Sequence, residues 1–151
     1  SKRMAEDIVK SIMPFTPVTI LRLYNVYGPN MNNNSGSIIN LFLKSKPIEV
    51  WGNGEAKRDY INVKDVASII KAAISPKWNG KIVDVGSGKG TKLKDVATLF
   101  AKYRGVPIVY KKGAKEIEWP IANTKMLKSL YKKPLLTNLK KDIKELVYGA
   151  Y

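Results

Sequence analysis

An α/β fold built on a parallel sheet is what this sequence predicts, and two observations carry it. Short β-branched, largely apolar runs at 18–24 and 81–85 read as buried strands. Stretches with helical spacing of apolar residues alternate with them. The 151 residues are 44% hydrophobic, one domain's worth of chain and long enough to bury a core.

Met4, Ile8, Val9 and Ile12 recur at helical spacing, so 2–13 reads as an amphipathic helix that Pro14 and Pro17 close. The strand 18–24 follows, and Gly28-Pro29 opens a loop. Residues 30–37, with asparagines at 32, 33 and 34, read as a mobile surface loop. Residues 38–43 suggest a helix and 48–51 a short strand. Gly52-Asn53-Gly54 makes a tight turn, and 59–63 is again extended. Val66, Ala67, Ile70 and Ile74 share a face of a helix over 64–74, with Asp65 in its first turn. Strand 81–85 runs into a turn, Gly86-Ser87-Gly88-Lys89-Gly90, and Thr91 reads as the N-cap of a helix to about Tyr103. A strand at 107–110 and two helices, capped by Asn123 and Thr137, complete the chain. Two long-range parallel strands are few for a doubly wound domain. With a helix that starts at residue 2, they predict the C-terminal part of something larger.

Composition narrows the chemistry. There is no cysteine and no histidine, which excludes disulfides, thiolate or imidazole metal sites and a Ser-His-Asp triad. No apolar run approaches the ~18 residues of a membrane span. The net charge of +15 favours anionic partners. Only Arg3, Arg22, Arg58 and Arg104 are arginine, however, so most of the excess is lysine spread along a solvated surface.

Three segments invite a ligand. The glycine turn at 86–90, between strand and helix, could cradle phosphates. It also mimics the first motif of class I methyltransferases. No acid ends the next strand to hold a ribose, and a plain structural turn explains it as well. Arg58 follows the turn at 52–54 and could fork onto a diphosphate, or pair at the surface with Glu55 or Asp59. Asn25 ends a parallel strand, the edge where open α/β sheets bind ligands; it could also be an Asx-turn residue.

Together, "LRLYNVYGP", "GNGEAKRDYINVKDVA", "KIVDVGSGKGTKLKDVA" and the closing "ANTKMLKSLYKKPLLTNLKKDIKEL" resemble the nucleotide-sugar epimerases and dehydratases. These are the extended short-chain dehydrogenase/reductases. The resemblance spans essentially the whole chain. It implies the last parallel strands of a Rossmann-type sheet (1–29 and 81–104) plus a small substrate-binding region (30–80 and 105–151). It makes the 86–90 turn a feature that follows the last parallel strand. The family's catalytic pair is Tyr-x-x-x-Lys, and the opening Ser1, Lys2 and Glu6 match its tail. The tyrosine would stand three residues before Ser1.

The resemblance implies NAD or NADP as cofactor and a nucleotide-diphosphate sugar as substrate, converted through a keto-sugar. Lys2 would be the catalytic lysine and also hold the cofactor ribose. Tyr24 would approach the nicotinamide, Asn25 the sugar diphosphate and Arg58 its phosphates. Asn40, Leu41, Glu49, Val50 and Trp51 match segments that line the base pocket, although Trp51 could equally be a core aromatic. The family's Arg before the "ANTK" segment is replaced by Lys115-Glu116-Ile117-Glu118-Trp119, without arginine. The resemblance further implies a cytoplasmic homodimer as the full-length protein, no membrane or nucleic-acid partner, and no turnover from this chain alone. Met4, Ile8 and Ile12 should then be exposed, leaving helix 2–13 to self-associate or rearrange. Two rival readings stand beside it: an S-adenosylmethionine-dependent methyltransferase fragment, and a basic nucleic-acid-binding module with a steep salt dependence.

Overall fold

A computed structural model describes residues 2–31, 36–113 and 119–149. The expected loop asparagines at 32–34 and the residues 115–118 lie outside them. The elements run α1 (Lys2–Ile12), β1 (Ile20–Leu23), β2 (Asn25–Tyr27), α2 (Ile38–Lys44), β3 (Ile48–Trp51) and β4 (Lys57–Asn62). They continue with α3 (Val63–Ala73), a 3-10 turn (Pro76–Trp78), β5 (Ile82–Val85), β6 (Gly90–Lys92), α4 (Leu93–Arg104), β7 (Ile108–Lys111), α5 (Lys125–Leu130) and α6 (Leu139–Tyr148).

The two long-range strands lie side by side and parallel, with Ile20 opposite Ile82 and Leu23 opposite Val85. The chain then leaves that pair, and β2 runs parallel to β4, which also pairs antiparallel with β6. A further parallel pair joins β3 to β7. This is the Rossmann-like α/β architecture expected.

Two cores stabilise the arrangement. One gathers Tyr27, Phe42, Ile48, Val50, Phe100 and Ile143 from β2, α2, β3, α4 and α6. The other gathers Ile61, Ile69, Trp78, Val83, Val85 and Leu127 around β4, α3, β5 and α5.

Several boundaries differ from expectation. Thr91 does not cap α4, because residues 90–92 pair with β4 and place it inside β6; Lys92 stands at the cap position. Thr137 does not cap α6 either. Asn138 does, accepting from the Lys141 amide at 3.1 Å, while the Thr137 hydroxyl donates to Asp65. Asn123 stands one residue before the α5 cap position, held by Thr124, and its side chain accepts from the Lys125 amide at 3.3 Å.

Helix α1 buries no residue, and Met4 and Ile8 are more than 60% exposed. Its tie to the sheet is electrostatic. Glu6 accepts from the Nε and Nη2 of Arg22 at 3.0 and 2.6 Å, and Lys10 lies 2.7 Å away. The Arg22 guanidinium and the Lys10 ammonium hold the Glu6 carboxyl well below the ordinary 4.5, at about 2. A lowered pKa stabilises the folded arrangement above the ordinary value. That contribution is lost as pH falls through the folded one. Between pH 4.5 and 2, amide exchange in α1 should therefore rise ahead of global unfolding. Exchange that rises only with the whole molecule would show that the pair does not hold the helix.

Candidate functional site

Strand β4 organises the site. Successive side chains of a strand point to opposite faces, so Arg58 and Tyr60 share one face and Asp59 and Ile61 the other. Asn25 stands opposite Tyr60 on the neighbouring β2. Asn25, Arg58 and Tyr60 thus line one pocket of about 390 Å³, together with Ser37, Ile39 and Trp119. The Asn25 side-chain amide donates to the backbone carbonyl of Asp59 at 2.9 Å, which fixes its orientation.

The surface pairing considered for Arg58 does not form. Glu55 is held by Lys92 at 2.8 Å and by Lys94. Asp59 points to the opposite face. Among the described residues, the buried Nε of Arg58 has no hydrogen-bond partner, and neither has the Tyr60 hydroxyl. Burial pushes the Tyr60 phenol up to about 12. The guanidinium lies over the Trp119 indole, 5.3 Å from the ring centroid. An unpartnered guanidinium edge in a pocket is a site for an oxyanion.

Asp59 settles what the glycine turn does. Its fully buried carboxylate accepts from the Ser87 amide at 2.8 Å, the Ser87 hydroxyl at 2.6 Å, the Gly88 amide at 2.9 Å and the Ala122 amide at 3.0 Å. The amides that would cradle a phosphate are already bound to an acid of the protein itself. Gly86 is required by the close approach: a Cβ there would lie 2.6 Å from the Ala122 Cβ and 2.7 Å from Asp59 Oδ2.

The other sequence candidates are dispersed. Lys2 is exposed at the start of α1. Tyr24 follows β1; burial pushes its phenol up, and the Asp84 and Asp59 carboxylates add to the shift. Asn40 is buried and lines a neighbouring cavity of about 510 Å³ with Gly28, Lys44 and Lys64; Met31 and Ile39 border both cavities. Leu41 is exposed on the outer side of α2. Val50 is fully buried in the core, so only its backbone could meet a ligand. Glu49 pairs with Lys111 at 3.4 Å. Trp51 is no core aromatic: it is 57% exposed and lies against Gly113. Trp119 and Asp59 were not expected in these positions. Trp119 joins the pocket from a segment far along the chain, and no local spacing marks it.

Sequence comparison agrees with this architecture. The model of the NAD dependent epimerase/dehydratase family matches residues 1–86. The chain belongs to that family. A dTDP-L-rhamnose 4-epimerase of Burkholderia thailandensis is 35% identical over 104 residues, 64% of this chain and 29% of the relative. The UDP-N-acetylglucosamine 4-epimerase structure from Methanobrevibacter ruminantium superposes with a TM-score of 0.83 at 23% identity, over 97% of this chain and 51% of that one. The NAD complex of dTDP-glucose 4,6-dehydratase from Bacillus anthracis gives 0.81 at 20% identity, over 95% of this chain and 48% of that one. The chain spans about half the length of these structures. Among the described residues, no helix is long and apolar enough to cross a membrane.

Proposed function

We propose that the protein containing this chain is a nucleotide-sugar epimerase or dehydratase that uses NAD or NADP and works through a keto-sugar. In this reading the Arg58 pocket receives the substrate's diphosphate. The observation that carries it is the buried, unpartnered Nε of Arg58 in one pocket with Asn25. Residues 1–29 and 81–104 are then the Rossmann-sheet elements, and 30–80 and 105–151 the substrate-binding region.

The residues have distinct tasks. Arg58 forks onto phosphate oxygens, and Asn25, oriented by the Asp59 carbonyl, contacts the sugar side of the diphosphate. Asn40, Leu41 and the 49–51 backbone, with Trp51 at its exposed end, border the base. Only part of the nicotinamide cofactor fits this chain. Lys2 would hold its ribose and favour an ionised phenol for proton transfer, and Tyr24 would flank the nicotinamide. When bound, the cofactor supplies hydride exchange with the sugar. The turn at 86–90 cannot hold its diphosphate, since Asp59 occupies those amides. Turnover by these residues alone is therefore not expected. The exposed apolar face of α1 supports a homodimer, here placed in the cytoplasm; a monomer in sedimentation of the whole protein would refute the dimer.

Titration of the chain with UDP and dTDP tests the site. Arg58→Lys keeps the charge and loses the planar fork. It should cost roughly 1.5–3 kcal/mol, about 10- to 150-fold in affinity. Equal affinities for wild type and variant would remove Arg58 from the site.

A further inference from the structure

We propose that Trp119 is a positioning residue that fixes the Arg58 guanidinium in the orientation a diphosphate requires. The proposal rests on the reading of this pocket as the sugar-nucleotide site.

The Arg58 guanidinium lies over the ring of Trp119. The guanidinium carbon lies 5.3 Å from the centroid of the indole. A cation on an aromatic face is attracted by the ring's quadrupole without an acceptor atom being involved. The N–H donors of Arg point outward in its own plane. The contact therefore leaves the Nε donor without a partner and open to a phosphate oxygen while it restricts the rotation of a long side chain. Ordering such a side chain at the moment of binding is costly, and a group already held in place avoids that cost.

The segment that follows the indole is itself held. Two residues on, Ile121 packs against Gly90, where a Cβ would lie only 2.5 Å from Ile121 Cδ1. The Ala122 amide donates to Asp59 at 3.0 Å. Arg58 and Asp59 are neighbours on β4 and point to opposite faces. A single strand thus supplies the cation under the indole and the carboxylate that anchors the segment carrying it. Trp119 is half-exposed and borders the same pocket as Asn25 and Arg58. A large aromatic left half in water, with its face on a cation lacking an Nε partner, fits a device that acts on the cation better than a core contact.

The experiment titrates UDP and dTDP into wild type, Trp119→Ala, Trp119→Phe, Arg58→Met and the Arg58→Met/Trp119→Ala double variant. Trp119→Ala should weaken binding about 3- to 30-fold. Trp119→Phe keeps an aromatic face and should recover most of that loss. With Arg58 already replaced by Met, the alanine substitution should add nothing, because no guanidinium remains to be positioned. Nucleotide should also change the tryptophan emission of wild type more than that of Trp119→Phe, in which Trp51 at the base is left to respond. Unchanged affinity in Trp119→Ala, equal losses in the Ala and Phe variants, or an additive double variant would each overturn the positioning role while leaving the Arg58 site intact. No binding by wild type, or full binding by Arg58→Met, would overturn the site reading itself and the proposal with it.

Discussion

Replacing Asp59 with alanine is expected to destabilise the chain by about 2–4 kcal/mol, because it strips the acceptor from the buried Ala122 amide and the part-buried Ser87 and Gly88 amides, and a fully buried donor left without one costs about 1–3 kcal/mol. The carboxylate is fully buried and accepts from Ser87, Gly88 and Ala122. Removing it leaves three backbone donors without their acceptor, in a space where the Gly86 backbone approaches closely. Asp59→Asn should be milder, since one acceptor oxygen survives while the amide nitrogen faces other donors. Urea denaturation of both variants measures the difference. A loss below about 1 kcal/mol in Asp59→Ala would mean that water replaces the carboxylate without penalty. The variant should also weaken UDP binding beyond its effect on stability, since the segment that carries Trp119 loses its anchor.

Asp142→Ala should cost about 3 kcal/mol by the same physics. Its Oδ2 accepts from the Tyr27 hydroxyl at 2.5 Å, the Asn62 side-chain amide at 2.9 Å and the Asn138 amide at 3.2 Å. Tyr27 and Asn62 are both buried, so neither donor has ready access to water. Tyr27→Phe removes the donor together with its need for a partner and should cost about 1 kcal/mol. A double-mutant cycle between the two positions should return a coupling of about 1 kcal/mol or more. Additive losses would show that the hydroxyl and the carboxylate stabilise the fold independently.

What could be read in the sequence is what local pattern controls. Residues 18–24 and 81–85 announce strands through their β-branched apolar character, and the structure pairs β1 with β5 in parallel. Strand β5 is buried at Val83 and Val85 as expected, whereas β1 buries no residue and leaves Leu23 half-exposed. The helix over 64–74 is likewise a matter of spacing, but its inward face is not the one expected: α3 buries Asp65, Val66 and Ile69, while Ala67, Ile70 and Ile74 face outward, Ile74 80% exposed. Strands β2 and β6, three residues each, are too short to carry a period. The β3–β7 pair depends on register between segments distant in the chain. Thr91 and Thr137 look like caps because hydroxyls suit caps, and only the tertiary structure shows one inside a strand and the other bonded to Asp65. The site divides in the same way. Asn25 and Arg58 stood out by their places at a strand end and after a turn. Neighbourhood in sequence misled on the partner of Arg58, because adjacent residues of β4 face opposite ways. Trp119 needed the tertiary fold.

The polar clamps on the last third of the chain also constrain the order of folding. The Leu136 and Thr137 amides bond to Asp65, 71 and 72 residues earlier, and Asp142 meets Tyr27 across 115 residues. Such closures lose chain entropy before any contact compensates, which slows their formation. Helix α6 is therefore expected to dock late, onto a platform of β2, β4 and α3. Substitutions at its clamp should accelerate unfolding and leave the refolding rate nearly unchanged, the kinetic signature of a late-forming segment.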